Sequence, residues 1–240
     1  MIADPAATNE PGFRNELLAV LSKEDVEPLR SRLQRVKLIS EQVLHEPSEH
    51  LDHVYFPEEG VVCLTADTQD AGIVEVGMIG RDGMIGVSVM LNPDPTAVHR
   101  ALVQVPGIAT RMQTAVFNEL VDRSPAFRDR CLRYIQVLMV QTAQAAACNA
   151  RHELPERLAR WLLMSHDKLD RDDMPMTQEF LAYMLGVRRT GVSQVANTLQ
   201  STGAIRQSRG RITILDRSLL EAEACNCYRF IEDSRRKIMG

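Results

Sequence analysis

Cysteine is sparse and does not pair up. Five residues stand at 63, 131, 148, 225 and 227, and none falls in the first 62 positions. An odd, scattered set excludes the disulfide framework of a small secreted domain and points to a reducing compartment, the cytoplasm. Residues 1–11 lack the basic-then-apolar order of a secretion signal. Their Ala, Pro, Asn and Glu content reads as a flexible tail over residues 1–13. Long apolar runs are missing too. The longest, residues 134–148, is interrupted by Gln136, Gln141 and Gln144, too short and too polar to cross a bilayer, so no membrane partner is expected. Catalytic signatures are also absent: there is no Gly-Xaa-Ser-Xaa-Gly elbow, phosphate loop or paired histidine–glutamate motif. An enzyme is therefore not expected.

What is present is a charge asymmetry. The chain carries a net charge of −4, but the acidity is uneven. Residues 1–151 hold 14 basic and 20 acidic side chains, whereas residues 152–240 hold 14 and 12. Within 177–211 the charged residues are Arg188, Arg189, Arg206, Arg209 and Arg211 against Glu179 alone. A positive stripe on an acidic protein is the electrostatic footprint of phosphate binding.

Patterning divides the chain. Leu17, Leu18, Val20, Leu21, Val26, Leu29 and Leu33 suggest short helical segments broken around Ser22 and Lys23. Residues 36–112 change character. Short β-rich runs at 54–56, 60–65, 72–78, 101–105 and 107–112 alternate with turn clusters at 57–60, 67–72, 80–86 and 92–96. Many short strands at this spacing predict a small barrel or sandwich. Residues 114–121 read as a helix. Ser124 followed by Pro125 then opens a second one, running to about Arg151. At roughly 40 Å long, and apolar on more than one face, it is expected to pack on its own domain and on a second copy. Another helix follows Pro155, and residues 170–175 read as an acidic turn.

The next stretch carries the function. Thr177 is a good N-cap for a helix over 178–185, and Gly186 supplies a turn. A second helix runs over about 188–201, with Val192, Val195, Ala196 and Leu199 at the spacing of a buried face. Two short helices joined by a tight glycine turn make a helix-turn-helix. The opposite face offers Arg189, Thr190, Ser193, Gln194 and Asn197, none of them acidic. Arg and Gln pair bidentately with guanine and adenine edges in the major groove. Gly203 ends the helix, and strands over 204–206 and 211–215 form a hairpin whose Arg206, Arg209 and Arg211 suit backbone phosphates. Asp216 caps a last helix through Leu219, Leu220 and Ala224.

The stretch Thr177-Gln-Glu-Phe-Leu-Ala-Tyr-Met-Leu-Gly186-Val-Arg-Arg189-Thr-Gly-Val192-Ser-Gln-Val-Ala-Asn-Thr-Leu199 resembles the helix-turn-helix of the cyclic AMP receptor protein and fumarate-nitrate regulator family. Upstream, Val54-Tyr-Phe-Pro-Glu-Glu-Gly60-Val-Val and Val76-Gly-Met-Ile-Gly80-Arg-Asp-Gly83-Met-Ile-Gly86 resemble its β-roll. The resemblance covers about residues 14–228. It implies an α+β fold: a cyclic-nucleotide-binding-like β-roll (14–123), a dimerisation helix (124–151) and a C-terminal winged helix-turn-helix (152–240). It also implies that Arg189, Thr190 and Gln194 read bases and that Thr177 and Gln178 lie near phosphates; Arg188 is expected to join the phosphate contacts as part of the positive stripe. Gly191 inside the recognition helix should cost ~1 kcal/mol against alanine.

In cyclic-nucleotide-binding members a glutamate between two glycines holds the ribose, and an arginine holds the phosphate. The corresponding effector residues here are Gly83, Met84, Gly86, His99 and Arg100. A methionine cannot accept hydrogen bonds from ribose hydroxyls, so a cyclic nucleotide is not expected. The cysteine-free N-terminus does not match the iron–sulfur branch. Cys225 and Cys227 lie two apart in an expected helix, so their side chains should diverge and serve packing. His45, His50 and His53 form the one metal-like cluster, with nothing to fix its geometry. No cofactor is assigned, and haem and metal stay open. The expectation is a cytoplasmic homodimeric transcription regulator, partnered by double-stranded DNA, RNA polymerase and an unidentified small-molecule effector. The competing reading is a small-molecule sensor acting through protein contacts alone.

Overall fold

The computed structural model describes residues 12–69 and 72–240. Residues 1–11 of the expected tail, and positions 70–71 of one expected turn, lie outside the described residues.

Leu17 and Leu18 are buried at the start of a 3-10 turn, Leu18–Val20, which seats the N-terminal segment on the core. The chain breaks at Ser22 as expected. Ser22 caps helix α1 (Lys23–Val26), its hydroxyl accepting from Asp25 N while the Asp25 carboxylate accepts from Ser22 N, both at 3.2 Å. A 3-10 segment, Glu27–Arg32, leads into the sheet.

The roll is built from β1 (Gln34–Leu38), β2 (Val43–His45), β3 (His53–Asp67), β4 (Ile73–Ile79) and β5 (Arg100–Gln113). These strands are antiparallel in the order β1-β5-β3-β4, with β2 also on β5. Here the structure corrects the sequence reading. The segment 57–60 is not a turn between strands, nor is Pro106-Gly107 a break. Both lie inside the long β3 and β5, where the pairing register shifts around Glu59. Gly60 takes φ +89°, and a Cβ on Gly107 would sit 2.1 Å from the Glu59 carbonyl oxygen. Proline and glycine here mark bulges in crossing strands.

Helix α2 (Thr114–Arg123) and helix α3 (Pro125–Arg151) follow. Phe56, Phe117 and Phe127 meet with ring centroids 5.8–6.2 Å apart and tie both helices to the roll. Ser124 precedes Pro125 as expected, but its hydroxyl donates to the Asp25 carboxylate instead of capping α3.

Beyond α3 come α4 (Leu154–Asp167), β6 (Asp173–Pro175), α5 (Gln178–Leu185), α6 (Arg189–Ser201), β7 (Ile205–Ser208), β8 (Arg211–Ile214), α7 (Arg217–Glu223) and α8 (Cys227–Met239). The acidic turn expected at 170–175 contains a strand: β6 pairs with β8, giving a three-stranded sheet in the order β6-β8-β7. Sequence reasoning also missed α8. It lies against α3, where Arg130 donates to the Met239 carbonyl and Gln144 Nε2 to Cys227 Sγ at 3.0 Å.

Cys225 and Cys227 do not lie in one helix. Ala224 is extended at the end of α7, Cys225 follows it in the corner outside both helices, and Asn226 is the N-cap of α8. The helical divergence expected of them therefore does not apply, and the two thiols converge. His45, His50 and His53 do not gather. His45 is buried, while His50 faces Asp52 at 3.1 Å.

The winged helix is docked on the roll. Val61, Cys63, Met78 and Val105 of the roll share one core with Leu158, Trp161, Leu162 and Leu181. Polar contacts stitch the seam. Trp161 Nε1 donates to Glu75 at 2.7 Å, Gln104 Nε2 to Ser165 Oγ at 3.3 Å, and Lys168 Nζ to the half-buried Asp82 carboxylate at 2.7 Å. Burial alone would raise Asp82, but the Lys168 ammonium overrides it and holds the carboxyl below its ordinary value.

Candidate nucleic-acid interface

Local sequence chemistry sets up the two helices. The Thr177 hydroxyl accepts from Phe180 N at 3.0 Å, satisfying one of the orphan N–H groups at the start of α5. Gly186 closes α5 in the left-handed region at φ +63°, a conformation that costs glycine nothing. Helix α6 then buries Val192, Ala196 and Leu199. Gly203 takes φ +83° just past its end.

With that face buried, the other is forced outward. Arg189, Thr190, Gln194 and Asn197 are exposed, and Ser193 is half-buried beside them. The wing braces this surface. Gln178 Nε2 donates to Gln207 Oε1 at 2.7 Å, Gln207 Nε2 to Asn197 Oδ1 at 3.1 Å, and Gln207 N to Gln200 Oε1 at 2.7 Å. Three side chains from α5, β7 and α6 are thus linked in one chain of hydrogen bonds, which fixes the pitch of α6 against the hairpin.

Between them lies a groove of about 480 Å³, whose lining includes Thr177, Gln178, Arg189, Arg209 and Arg211 together with one carboxylate, Glu179. Hydrogen-bonding groups at a helix N-terminus and three guanidinium groups share this groove, so positive charge outnumbers the single Glu179 carboxylate there, as suits an anionic oxygen. Among the described residues Arg188, Arg189, Arg206 and Arg209 are exposed and make no ion pair. Arg211 differs: Asp173 on β6 takes its guanidinium, and the pair draws Asp173 below and Arg211 above their ordinary values.

Gly191 acquires an account that the sequence did not supply. A Cβ there would stand 3.2 Å from Leu154 Cδ2 at the start of α4, a close contact with the flexible end of one side chain.

The effector positions fall in two places. Met84 is fully buried and its carbonyl accepts from Tyr134 Oη of α3 at 3.4 Å, while a Cβ on Gly83 would collide with the Tyr134 ring. Gly86 takes φ +98° ahead of a short 3-10 turn. His99 is half-buried, and Arg100 Nε donates to Glu46 at 2.7 Å. No hydrogen bond among the described residues joins the 83–86 segment to His99 or Arg100.

A β-roll, a long central helix and a winged helix-turn-helix with an outward, non-acidic face on α6 make up the architecture. Residues 156–223 match the family model of the Crp-like helix-turn-helix domain. The chain therefore carries that domain, on the fold of the CRP/FNR regulators. FixK2 from Bradyrhizobium japonicum superimposes with a TM-score of 0.68 at 15% identity, covering 80% of this chain and 98% of its own. A transcriptional regulator of the CRP family from Thermus thermophilus gives 0.64 at 20% identity, over 79% and 96%. CLP from Xanthomonas campestris, described as a c-di-GMP responsive global regulator, gives 0.62 at 14% identity, over 81% and 100%. Comparison with curated protein sequences finds no match. No helix among the described residues is long and apolar enough to cross a membrane.

Proposed function

We propose that this chain is a sequence-specific DNA-binding transcription regulator that acts as a homodimer on an inverted repeat. The observation that carries the reading is the non-acidic outer flank of α6. Arg189, Thr190, Gln194 and Asn197 project from it, braced by the wing and flanked by unpaired Arg188, Arg206 and Arg209. Arg189, Thr190, Ser193, Gln194 and Asn197 read base edges. Thr177, Gln178, Arg188, Arg206 and Arg209 hold phosphates, and Arg211 joins them by exchanging Asp173 for a phosphate.

A second observation supports the dimer. Helix α3 has three faces. One meets the roll through Tyr134, Gln141 and Thr142, and one meets α8 through Arg130 and Gln144. The third is exposed and carries Leu132, Gln136, Met139, Ala143, Ala146 and Ala150 at alternating steps of four and three. Leu132 and Met139 are 44% and 68% exposed, which is costly for an isolated chain and natural for a helix pair. The spacing is that of a coiled-coil seam, and the alanines permit close approach, so the occupant is the same helix of a second copy. Two recognition helices then address half-sites about 10 bp apart, or a multiple of that spacing.

Control runs through the roll. The 83–86 segment touches Tyr134 on α3, so an effector that moves it would move the dimer helix. The cytoplasm and RNA polymerase follow as setting and partner.

Sequencing DNA fragments retained by the purified full chain, followed by gel shifts across a salt series, tests the reading. A palindromic consensus with steep salt dependence is the expected result. Absence of saturable, salt-dependent binding would leave α6 as a protein-contact surface and overturn the proposal.

A further inference from the structure

Four ligand-type side chains that the nucleic-acid interface does not use converge where α3 meets the winged helix. Cys148 lies on the last turns of α3 and His152 is its C-cap residue. Cys225 occupies the α7–α8 corner and Cys227 begins α8. Their ligand atoms all lie within 4.8 Å of one another, with Cys148 Sγ and Cys225 Sγ 3.5 Å apart and His152 Nδ1 3.5 Å from Cys227 Sγ. All three cysteines are buried and the histidine is half-buried. A tetrahedral zinc ion with Zn–S bonds of ~2.3 Å places its ligand sulfurs ~3.8 Å apart. The four atoms are therefore already near the corners of such a site.

We propose that Cys148, His152, Cys225 and Cys227 form a Cys₃His site for a divalent ion of the zinc class, which pins the α3–α4 joint to the C-terminal helix.

Two surrounding groups fit this assignment. Gln144 Nε2 donates to Cys227 Sγ at 3.0 Å, the outer hydrogen bond that orients a ligand sulfur. Arg160 is buried, its Nε has no partner among the described residues, and its positive field reaches Cys148. Ligation replaces each thiol proton with a metal bond, so three thiolates, a neutral imidazole and a divalent cation leave one net negative charge. Arg160 is the buried cation that balances it.

The placement gives the site a task. Only His152 and Glu153 separate α3 from α4, both with extended backbone, so any swing of the winged helix against α3 must bend there. Cys148 and Cys225 are 77 residues apart. A metal joining them locks the joint from both sides.

The test uses the reduced full-length chain, with Co²⁺ as a spectroscopic stand-in and Zn²⁺ as competitor. Expected is a thiolate-to-cobalt charge-transfer band with tetrahedral d–d bands, saturating at one equivalent and displaced by Zn²⁺. The Cys227→His variant keeps four ligands, so it should retain binding with a charge-transfer band weakened by the loss of one thiolate. Cys148→Ser and Cys225→Ser should bind Co²⁺ at least tenfold more weakly. Zinc should also slow amide exchange over residues 148–154 and 224–228. A wild-type chain that gives no tetrahedral spectrum overturns the proposal, as does one whose spectrum is unchanged in Cys148→Ser. Finding instead that Cys148 and Cys225 form a disulfide and the reduced pair binds no metal overturns it too. These readouts need no DNA, so they stand apart from the regulator reading.

Discussion

The substitution Glu75→Gln should make the molecule's stability less sensitive to pH, and the size of the change can be worked out. Glu75 sits on β4 with its carboxylate turned toward the docked winged helix. It accepts from Trp161 Nε1 at 2.7 Å and from Cys63 Sγ at 3.3 Å. Burial pushes its carboxyl from an ordinary 4.5 up to about 7, against the opposing pull of Trp161, Cys63, Arg160 and Lys168. The folded protein therefore keeps a proton that the unfolded chain gives up. That contribution is complete below pH 4.5 and is lost as the pH rises toward 7. The full displacement corresponds to about 3 kcal/mol, and because Glu75 is only half-buried as a residue, about 2–3 kcal/mol is the working figure. The glutamine side chain would keep the acceptor for Trp161 and carry no charge at any pH. Thermal melts of both proteins between pH 4.5 and 8 should then diverge, the variant gaining roughly 5–10 °C relative to wild type across the window. Parallel melting curves would refute the reasoning, because they would mean that Glu75 meets water in the folded state.

Four further changes probe other parts. Lys168→Ala leaves the half-buried Asp82 carboxylate without its cation, though still bonded to Gly80 N, and should cost about 2–3 kcal/mol by denaturant titration, less than a fully buried pair would; a loss below about 1 kcal/mol would show that water reaches the pair. Met139→Glu puts charge on the exposed seam of α3 and should shift the protein to monomers in light scattering, weakening operator binding with little loss of thermal stability. Arg189→Ala should cost ~1–3 kcal/mol at one base position, whereas Arg209→Ala should weaken all sequences alike and reduce the salt slope by about one; the reverse pattern would exchange their roles. Gly191→Ala gains up to ~1 kcal/mol of helix propensity and needs Leu154 Cδ2 to move by a few tenths of an ångström. Since Leu154 Cδ2 is a flexible tip, the melting temperature should hold or rise slightly, and a large drop would place a rigid contact there.

How much of this was legible in the sequence depended on range. The helix-turn-helix is written locally: Thr177 as cap, Gly186 as turn, and Val192, Ala196 and Leu199 as the buried face, each acting within a few residues. The strands at 53–67 and 100–113 were harder, because Pro57, Gly60 and Gly107 carry turn chemistry that the sheet uses for bulges, and only the pairing partner reveals which. Helix α8 hid behind its charge. Ile231 and Met239 are its apolar contacts, and residues 232–237 are almost wholly charged, so its value comes from α3, about a hundred positions away. The thiol cluster could not be read at all. Spacing within one segment says nothing about a side chain brought in from another, and the assumption that Cys225 and Cys227 shared a helix pointed the wrong way.

The docking of the two halves constrains how any signal could act. The seam combines a shared apolar core with Glu75–Trp161, Asp82–Lys168 and Gln104–Ser165, and separating it would strand a carboxylate, an ammonium and an indole N–H as well as exposing leucines. Groups of this kind favour two discrete arrangements over a continuum, since a half-opened seam leaves charges unpaired without admitting enough water to solvate them. Helix α3 is the element that both sides grip: Tyr134 and Gln141 bind it to the roll, and Gln144 and Cys148 face α8 and the α7–α8 corner. A rotation of α3 would therefore change the roll contacts, the exposed heptad seam and the thiol cluster together. On the proposed function and metal site, an effector at the roll, the dimer seam and an ion at the joint would be three ways of biasing one helix, and substitutions at any of them should show coupled effects on DNA affinity.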